Sequence, residues 1–220
     1  PGRWRRLLDR SIAIAHRAAA RPYRATAVIL AVDLLLIGLF IVAGELVFSD
    51  PAELFRELMP GTWLSVAQLA FVAVIAWAIH RELIGGQRPR LNNLWGISVA
   101  VFVVFAVDEA TQLTIFLADA LAAAGALAPA GFKDLDAFLV SVLLIAGGAA
   151  LLRYGRTLLS YPRALVLLAV GVGLGAASQT LDSVLTATSS EFAAEESLKL
   201  AAEPFLIGGY LLILNRLGRP

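Results

Sequence analysis

Val107-Asp108-Glu109-Ala110-Thr111-Gln112 puts two adjacent carboxyl groups and a carboxamide into a run that is otherwise apolar, Leu94 to Ala106 before it and Thr114 to Ala118 after it. Carboxyl groups in such surroundings can serve as general base, ligate a cation or pair with a buried ammonium. Far along the chain, Glu196, Lys199 and Glu203 fall on one helical face at i, i+3 and i+7. Asp108 and Gln112 share a face, and Glu109 points about 100° away from it. Asp108, Glu109 and Glu196 are therefore the candidate catalytic carboxyls. Asp108, Glu109, Gln112, Asp182, Glu196, Lys199 and Glu203 are the candidate ion network.

These residues need helices to hold them. The 220 residues are 59% hydrophobic and 16% charged, whereas a soluble domain is about half apolar and about a quarter charged. The apolar residues come in blocks of about 18 or more, long enough to cross about 30 Å of hydrocarbon as helices. The expected fold is all-α: a polytopic membrane bundle of six spans over residues 25–216, at about 25–47, 62–78, 94–117, 135–152, 164–181 and 195–214. Ala-rich 118–132, with Pro129 and Gly131, is expected as an outer interfacial segment. There is no cysteine, so disulfides, thiolate ligands and c-type haem attachment are excluded. No separate signal peptide is expected, and Pro1 fits removal of an initiator Met.

Residues 1–24 carry Arg3, Arg5, Arg6, Arg10, Arg17, Arg21 and Arg24 against one acid, Asp9, with Trp4, Leu7, Leu8, Ile12 and Ala15 at helical spacing. That pattern predicts a basic amphipathic helix lying on an anionic membrane face, anchored by Trp4 and bound through Arg3, Arg5, Arg6, Arg10 and Arg17. A nucleic-acid partner is set aside because a span follows at once. Arginines recur at Arg81, Arg88, Arg90, Arg153, Arg156, Arg163, Arg216 and Arg219, and the alternate loops lean acidic. The positive-inside rule then places both termini in the cytoplasm.

A rise of about 1.5 Å per residue sets the depths. Asp108 lies about 22 Å from Asn93, Lys199 about 24 Å and Glu196 about 28 Å from Asn215, and Asp182 about 27 Å from Ala164. All four fall at similar heights in the outer leaflet, with Gln68 and Gln179 near that layer. Glu203 is deeper, at about 18 Å from Asn215, and Asp33 deepest, at about 13 Å from Arg24. Charges at such depths face a bundle interior and pair with one another. The expected packing sets span six beside span three, with Lys199 between carboxylates and a protonated Glu203 or Asp33 below. Gly171 and Gly175 form a small-xxx-small pair on span five for close helix approach, with Gly147 and Gly148 opposite. Trp63 and Trp95 are expected in the aromatic belts, Trp77 near the inner one, and His80 as a solvated interfacial residue.

The two polar clusters together resemble an uncharacterised bacterial family of six-span membrane proteins. Its third span ends in a pattern like Leu-Asp-Glu-x-x-x-x-His-Glu and its last opens on one like Glu-Glu-x-Leu-Glu-Met-x-Gly. Val107-Asp108-Glu109 follows the first, with Thr114 and Ile115 where His-Glu would stand; Glu195-Glu196-Ser197-Leu198-Lys199 follows the second, with Lys199 in place of an acid. The complete motifs would suit a divalent metal. The lost His and the intruding cation make this chain a degenerate member with no metal site expected. A bacterial inner membrane is what the resemblance implies.

Three functions fit these residues. The first is a non-catalytic membrane subunit or scaffold docked among other membrane protein subunits, its carboxylate–lysine network holding the bundle. The second is a membrane-embedded hydrolase or lipid-modifying enzyme with outward-facing carboxylates, although neither Ser178 nor Ser197 has a His nearby to activate it. The third is a proton-coupled transporter, with Asp33, Glu203, Lys199 and Asp108 at stepped heights. No cofactor is demanded by any residue; lipid, quinone or pigment would fill grooves between spans.

Overall fold

The computed structural model of the chain describes residues 3–56, 59–84, 89–127, 129, 135–154, 158–184 and 188–218; the side chains of 89–92, 136, 143–144, 146–148, 150–152 and 182–184 fall outside that description. Among the described residues every regular element is helical: α1 (Arg3–Ala19), α2 (Pro22–Phe48), a 3-10 turn (Glu53–Phe55), α3 (Pro60–Ile84), α4 (Pro89–Thr111), α5 (Leu113–Ala123), α6 (Leu135–Arg153), α7 (Pro162–Val184) and α8 (Ser189–Leu217). Among the described residues, five stretches are long and apolar enough to cross a membrane: α2, Glu53–Ile84, Asn93–Thr111, Pro162–Leu181 and α8. At the place of the expected fourth span stands α6, 19 residues long. The chain is an α-helical membrane bundle. Arg88, Arg156 and Arg219 lie outside the described residues, as do Gly131 and the side chains of Arg90, Gly147 and Gly148.

Local chemistry starts and stops these helices. Pro22 opens α2, where its fixed φ is already helical and its missing N–H is not needed. Ser49 closes it in the left-handed region (φ 56°, ψ 27°). The chain then folds back so tightly that a Cβ at Gly44 would stand 2.6 Å from the Asp50 carbonyl oxygen. At the start of α8 the Thr188 hydroxyl accepts from the Glu191 N–H, and Glu191 accepts from the Thr188 N–H, a reciprocal cap for otherwise orphaned donors.

The most enclosed span is α8. It packs on α7, α3 and α2, and α1 lies across its last turns. Small residues let the backbones approach. A Cβ at Gly171 would meet Leu206 Cδ2 at 2.8 Å, one at Gly209 would meet Leu168 Cδ2 at 2.6 Å, and one at Gly208 would collide with Thr26. Gly171 thus faces α8, while a Cβ at Gly175 would meet nothing within 4 Å. The expected small-xxx-small pair is in use at one member only.

Two arrangements differ from the sequence expectation. The expected neighbour of the last span was span three, yet α8 lies against α7, α3 and α2. It meets α4 through long side chains, such as Tyr210 edge-on to Trp95 and Phe102, with ring centroids 5.7 and 5.6 Å apart. The reason is steric: glycines bring α7 and α2 close, and bulky rings hold α4 off. The same contacts bury Trp95 to 1% exposure, so it belongs to the core and not to an aromatic belt. Trp63 is exposed. The second difference is in span three, expected unbroken over 94–117. It stops at Thr111, turns through Gln112 (φ 55°, ψ 40°) and resumes as α5.

The arginine-rich end is tied together. Ala15 and Ala19 of α1 are buried there, Arg81 reaches Asp9 at 3.4 Å, His16 reaches Glu82 at 3.6 Å, and the Asn215 amide donates to the Ala19 carbonyl. Arg216 lies over the Tyr161 ring, 5.2 Å from its centroid. His80 tilts against Trp77, with ring centroids 5.4 Å apart, and sits near Gly96. Trp4, Arg3, Arg5, Arg6, Arg10 and Arg17 are exposed on α1.

Candidate functional site

The polar residues of the spans gather in two layers in the half of the bundle away from the arginine-rich end. The outer layer centres on Lys199 of α8. Its ammonium donates to Glu196 Oε1 at 2.7 Å, three residues earlier on the same helix, and to Glu109 of α4 at 3.0 and 3.2 Å. The lysine side chain is 28% exposed, the Glu109 side chain 18% and the Glu196 side chain 9%, so these pairs are partly shielded. Lys199 needs its length because α4 stands off from α8.

Asp108 takes a different task from its neighbour. Its Oδ1 accepts the Thr114 N–H at 2.7 Å and its Oδ2 the Thr114 hydroxyl at 3.0 Å. Leu113 opens α5, so Thr114 carries one of the N–H groups with no partner inside the helix. A carboxylate from the preceding helix thus caps the new one, in apolar surroundings where an unpaired N–H is costly. The Gln112 N–H still donates to the Asp108 carbonyl at 2.6 Å, so Gln112 serves as the hinge residue. The 100° offset between adjacent residues separates the two acids: Glu109 to the lysine, Asp108 to the helix start.

One turn further along α8, Glu203 begins the second layer. Ser65 donates its hydroxyl to Glu203 Oε1 at 2.6 Å, and Gln68 donates its amide to Asp33 Oδ1 at 2.9 Å. Ser65 and Gln68 are three residues apart and share a face of α3, so two hydrogen bonds tie α2, α3 and α8 together. Asp33, Glu203 and Gln68 are 1%, 2% and 6% exposed. Asp33 Oδ2, Gln68 Oε1 and Glu203 Oε2 are buried without a hydrogen-bond partner. Beyond this layer the core is mostly apolar, and its buried hydroxyls are engaged: Thr26 donates to the Pro22 carbonyl, Ser98 to the Leu94 carbonyl, and Tyr210 meets Ser98.

Of the candidate network, Glu109, Glu196 and Lys199 meet directly. Glu203 lies beneath them, Asp108 and Gln112 sit at the α4–α5 hinge, and the Asp182 side chain lies outside the described residues. Sequence reading missed Ser65 as the partner of Glu203 and Thr114 as the partner of Asp108. A signal for the first was present: Thr62, Ser65 and Gln68 form a polar stripe at i, i+3 and i+6 on an otherwise apolar helix.

Among the described residues no group of three or more His, Asp or Glu is placed to hold a metal ion. Ser197 donates its hydroxyl to the Ala193 carbonyl at 2.6 Å, a bond within its own helix. An apolar groove of about 530 Å³ runs between α3 and α4 past Val66, Val74, Val99 and Val103, with Leu8 and Trp77 at one end. Comparison with protein-family models, curated proteins and solved structures found no match to this chain.

Proposed function

We propose that the protein is a non-catalytic integral membrane subunit, docked in a larger membrane complex, whose carboxylate–lysine network clamps its own helices. The observation that carries this reading is the Lys199 ammonium held between Glu109 and Glu196. It occupies two of the three candidate catalytic carboxylates with a cation, and the third, Asp108, is engaged at a helix start. A hydrolase would need one of these groups free to take a proton from water or a nucleophile. Ser197, bonded to its own helix, is no such nucleophile.

On this reading the chain is a degenerate member of the resembling six-span family and sits in a bacterial inner membrane. The gathering of α1, Arg81 and Arg216 at one end of the bundle supports a cytoplasmic placement of that end. Exposed Arg3, Arg5, Arg6, Arg10, Arg17 and Trp4 then face anionic lipid headgroups. The α3–α4 groove would take an acyl or isoprenoid chain, of a lipid or quinone.

Native mass spectrometry after mild extraction from the protein's own membrane tests the reading. The expected result is one defined mass above that of the chain, containing other membrane subunits. A lone 23.4 kDa chain with bound lipid would refute it.

A further inference from the structure

The second polar layer has a shape that helix clamping alone does not account for. Asp33, Gln68 and Glu203 are each more than nine-tenths buried, and each keeps one oxygen with no donor. All three atoms are acceptors, so they cannot satisfy one another. Charge gives an independent argument. The two layers hold four carboxyl groups, on Asp33, Glu109, Glu196 and Glu203, against one ammonium, on Lys199. The lysine is already shared by Glu109 and Glu196.

What the layer lacks is small, positive and able to donate. A proton meets all three needs. Added to Asp33 Oδ2 or Glu203 Oε2, it turns an acceptor into an O–H donor and removes a charge. A calcium ion would ask for six to eight oxygens and a magnesium ion for about six, against three free ones here. We infer that Asp33 and Glu203 form a proton-binding site reached from one end of the bundle only, through the Lys199 network.

The one-sidedness comes from what lies above and below. One turn outward from Glu203 is Lys199, its side chain 28% exposed and followed by Glu109 at 18%. In the other direction the next turns supply Val72, Ile75, Ile79, Ile207 and Leu211, none more than 1% exposed. The outer layer is partly exposed, whereas these apolar side chains separate Glu203 from the next polar groups inward, the Tyr210 hydroxyl bonded to Ser98. Binding is a simple transfer: hydronium in the outer layer gives up a proton, an O–H bond forms on the carboxylate, and water is released. No electron moves. The same plug argues against a relay across the membrane.

The charged groups around the site are few. Glu203 is faced by Lys199 and Glu196 on its own helix, Asp33 on α2 and Glu109 on α4. Ser65 and Gln68 on α3 are uncharged. Among the described side chains of α7 only Arg163 is charged, and it is exposed at the arginine-rich end. Lys199 attracts the deprotonated form, and the three other carboxyls oppose it.

The inference does not depend on the subunit reading, and its test is separate from mass spectrometry. Infrared difference spectra of the full chain, in sealed proteoliposomes of one verified orientation, would follow carboxylic-acid C=O bands. Two bands are expected to titrate with the pH on the side away from the arginine-rich end. One should be lost in Asp33→Asn and the other in Glu203→Gln. If either variant fails to fold, Ser65→Ala, which removes only the hydroxyl on Glu203, must still shift that residue's band. No band from either residue, a response only to pH on the arginine-rich side, or an unshifted band in Ser65→Ala would overturn the proposal. Loss of the bands on adding sodium at constant pH would assign the site to that ion and overturn it as well.

Discussion

At the scale of single residues, what decides each acid's role is the partner it meets. Lys199 is the sharpest case. Lys199→Met would leave Glu109 and Glu196 facing each other with no cation, and breaking a buried pair in this way costs about 3 kcal/mol. Glu109→Gln keeps an acceptor and should cost less, roughly 1–3 kcal/mol. Reversible unfolding in mixed micelles would measure both, and a double-mutant cycle would isolate the coupling. A loss under about 0.5 kcal/mol for Lys199→Met would show that the clamp does not hold the bundle. At the exposed turn after α2, Asp50 behaves as an ordinary acid made stronger. Arg56 Nη2 donates to it at 2.6 Å, and the Ala52 N–H follows at 2.9 Å. These bonds favour the charged form and hold its carboxyl below the usual carboxylate range. Since the folded value is the lower one, this contribution is complete above the usual carboxylate range and lost as pH falls through the folded value. Protection of the Ala52 amide, taken relative to intrinsic exchange, should therefore hold through the usual carboxylate range and fall only below it. Protection that never changes with pH would argue against the clasp.

At the scale of elements, glycines and hinges set how the helices meet. Gly209→Ala would drive a Cβ into Leu168 and should cost about 1–3 kcal/mol through forced repacking. Gly175→Ala enters open space and should gain up to about 1 kcal/mol from helix propensity. The same unfolding assay separates them; equal effects would mean that the α7–α8 contact is not as drawn. The α4–α5 hinge obeys the same logic from the polar side. Asp108 can hold α5 in place because Gln112 adopts a positive φ, and the Thr114 N–H needs an acceptor where water is scarce.

For the whole molecule, orientation is the main consequence of the charge pattern. The chain contains no cysteine, so single-cysteine variants report position without background. A cysteine at Arg5 or Arg216 is expected to react with impermeant reagents only from the cytoplasmic side, and one at Glu53 only from the other side. Labelling of all three from one side would overturn the proposed orientation. The polar outer half and the more apolar inner half also imply uneven stability. Local opening should start at the α4–α5 hinge, around exposed Leu113 and Phe116, and not in the core around Ile79 and Leu211.

The sequence by itself determined the class and most of the layout. Long apolar runs admit only membrane helices, because backbone N–H and C=O groups find no other partners in hydrocarbon. Depth arithmetic at a fixed rise per residue brought Asp108, Asp182, Glu196 and Lys199 to one level, since helix geometry is regular enough to extrapolate. Only the tertiary structure decided who pairs with whom. Which of two adjacent acids meets the lysine depends on helix rotation, which the glycine contacts of α8 and the rings around Tyr210 set. The break at Gln112 depends on a capping bond from an earlier turn, and Thr114 carries no mark of it in the sequence. The burial of Ser65 and Gln68 against Glu203 and Asp33 depends on three helices crossing at one depth, a property of their packing and not of any single span.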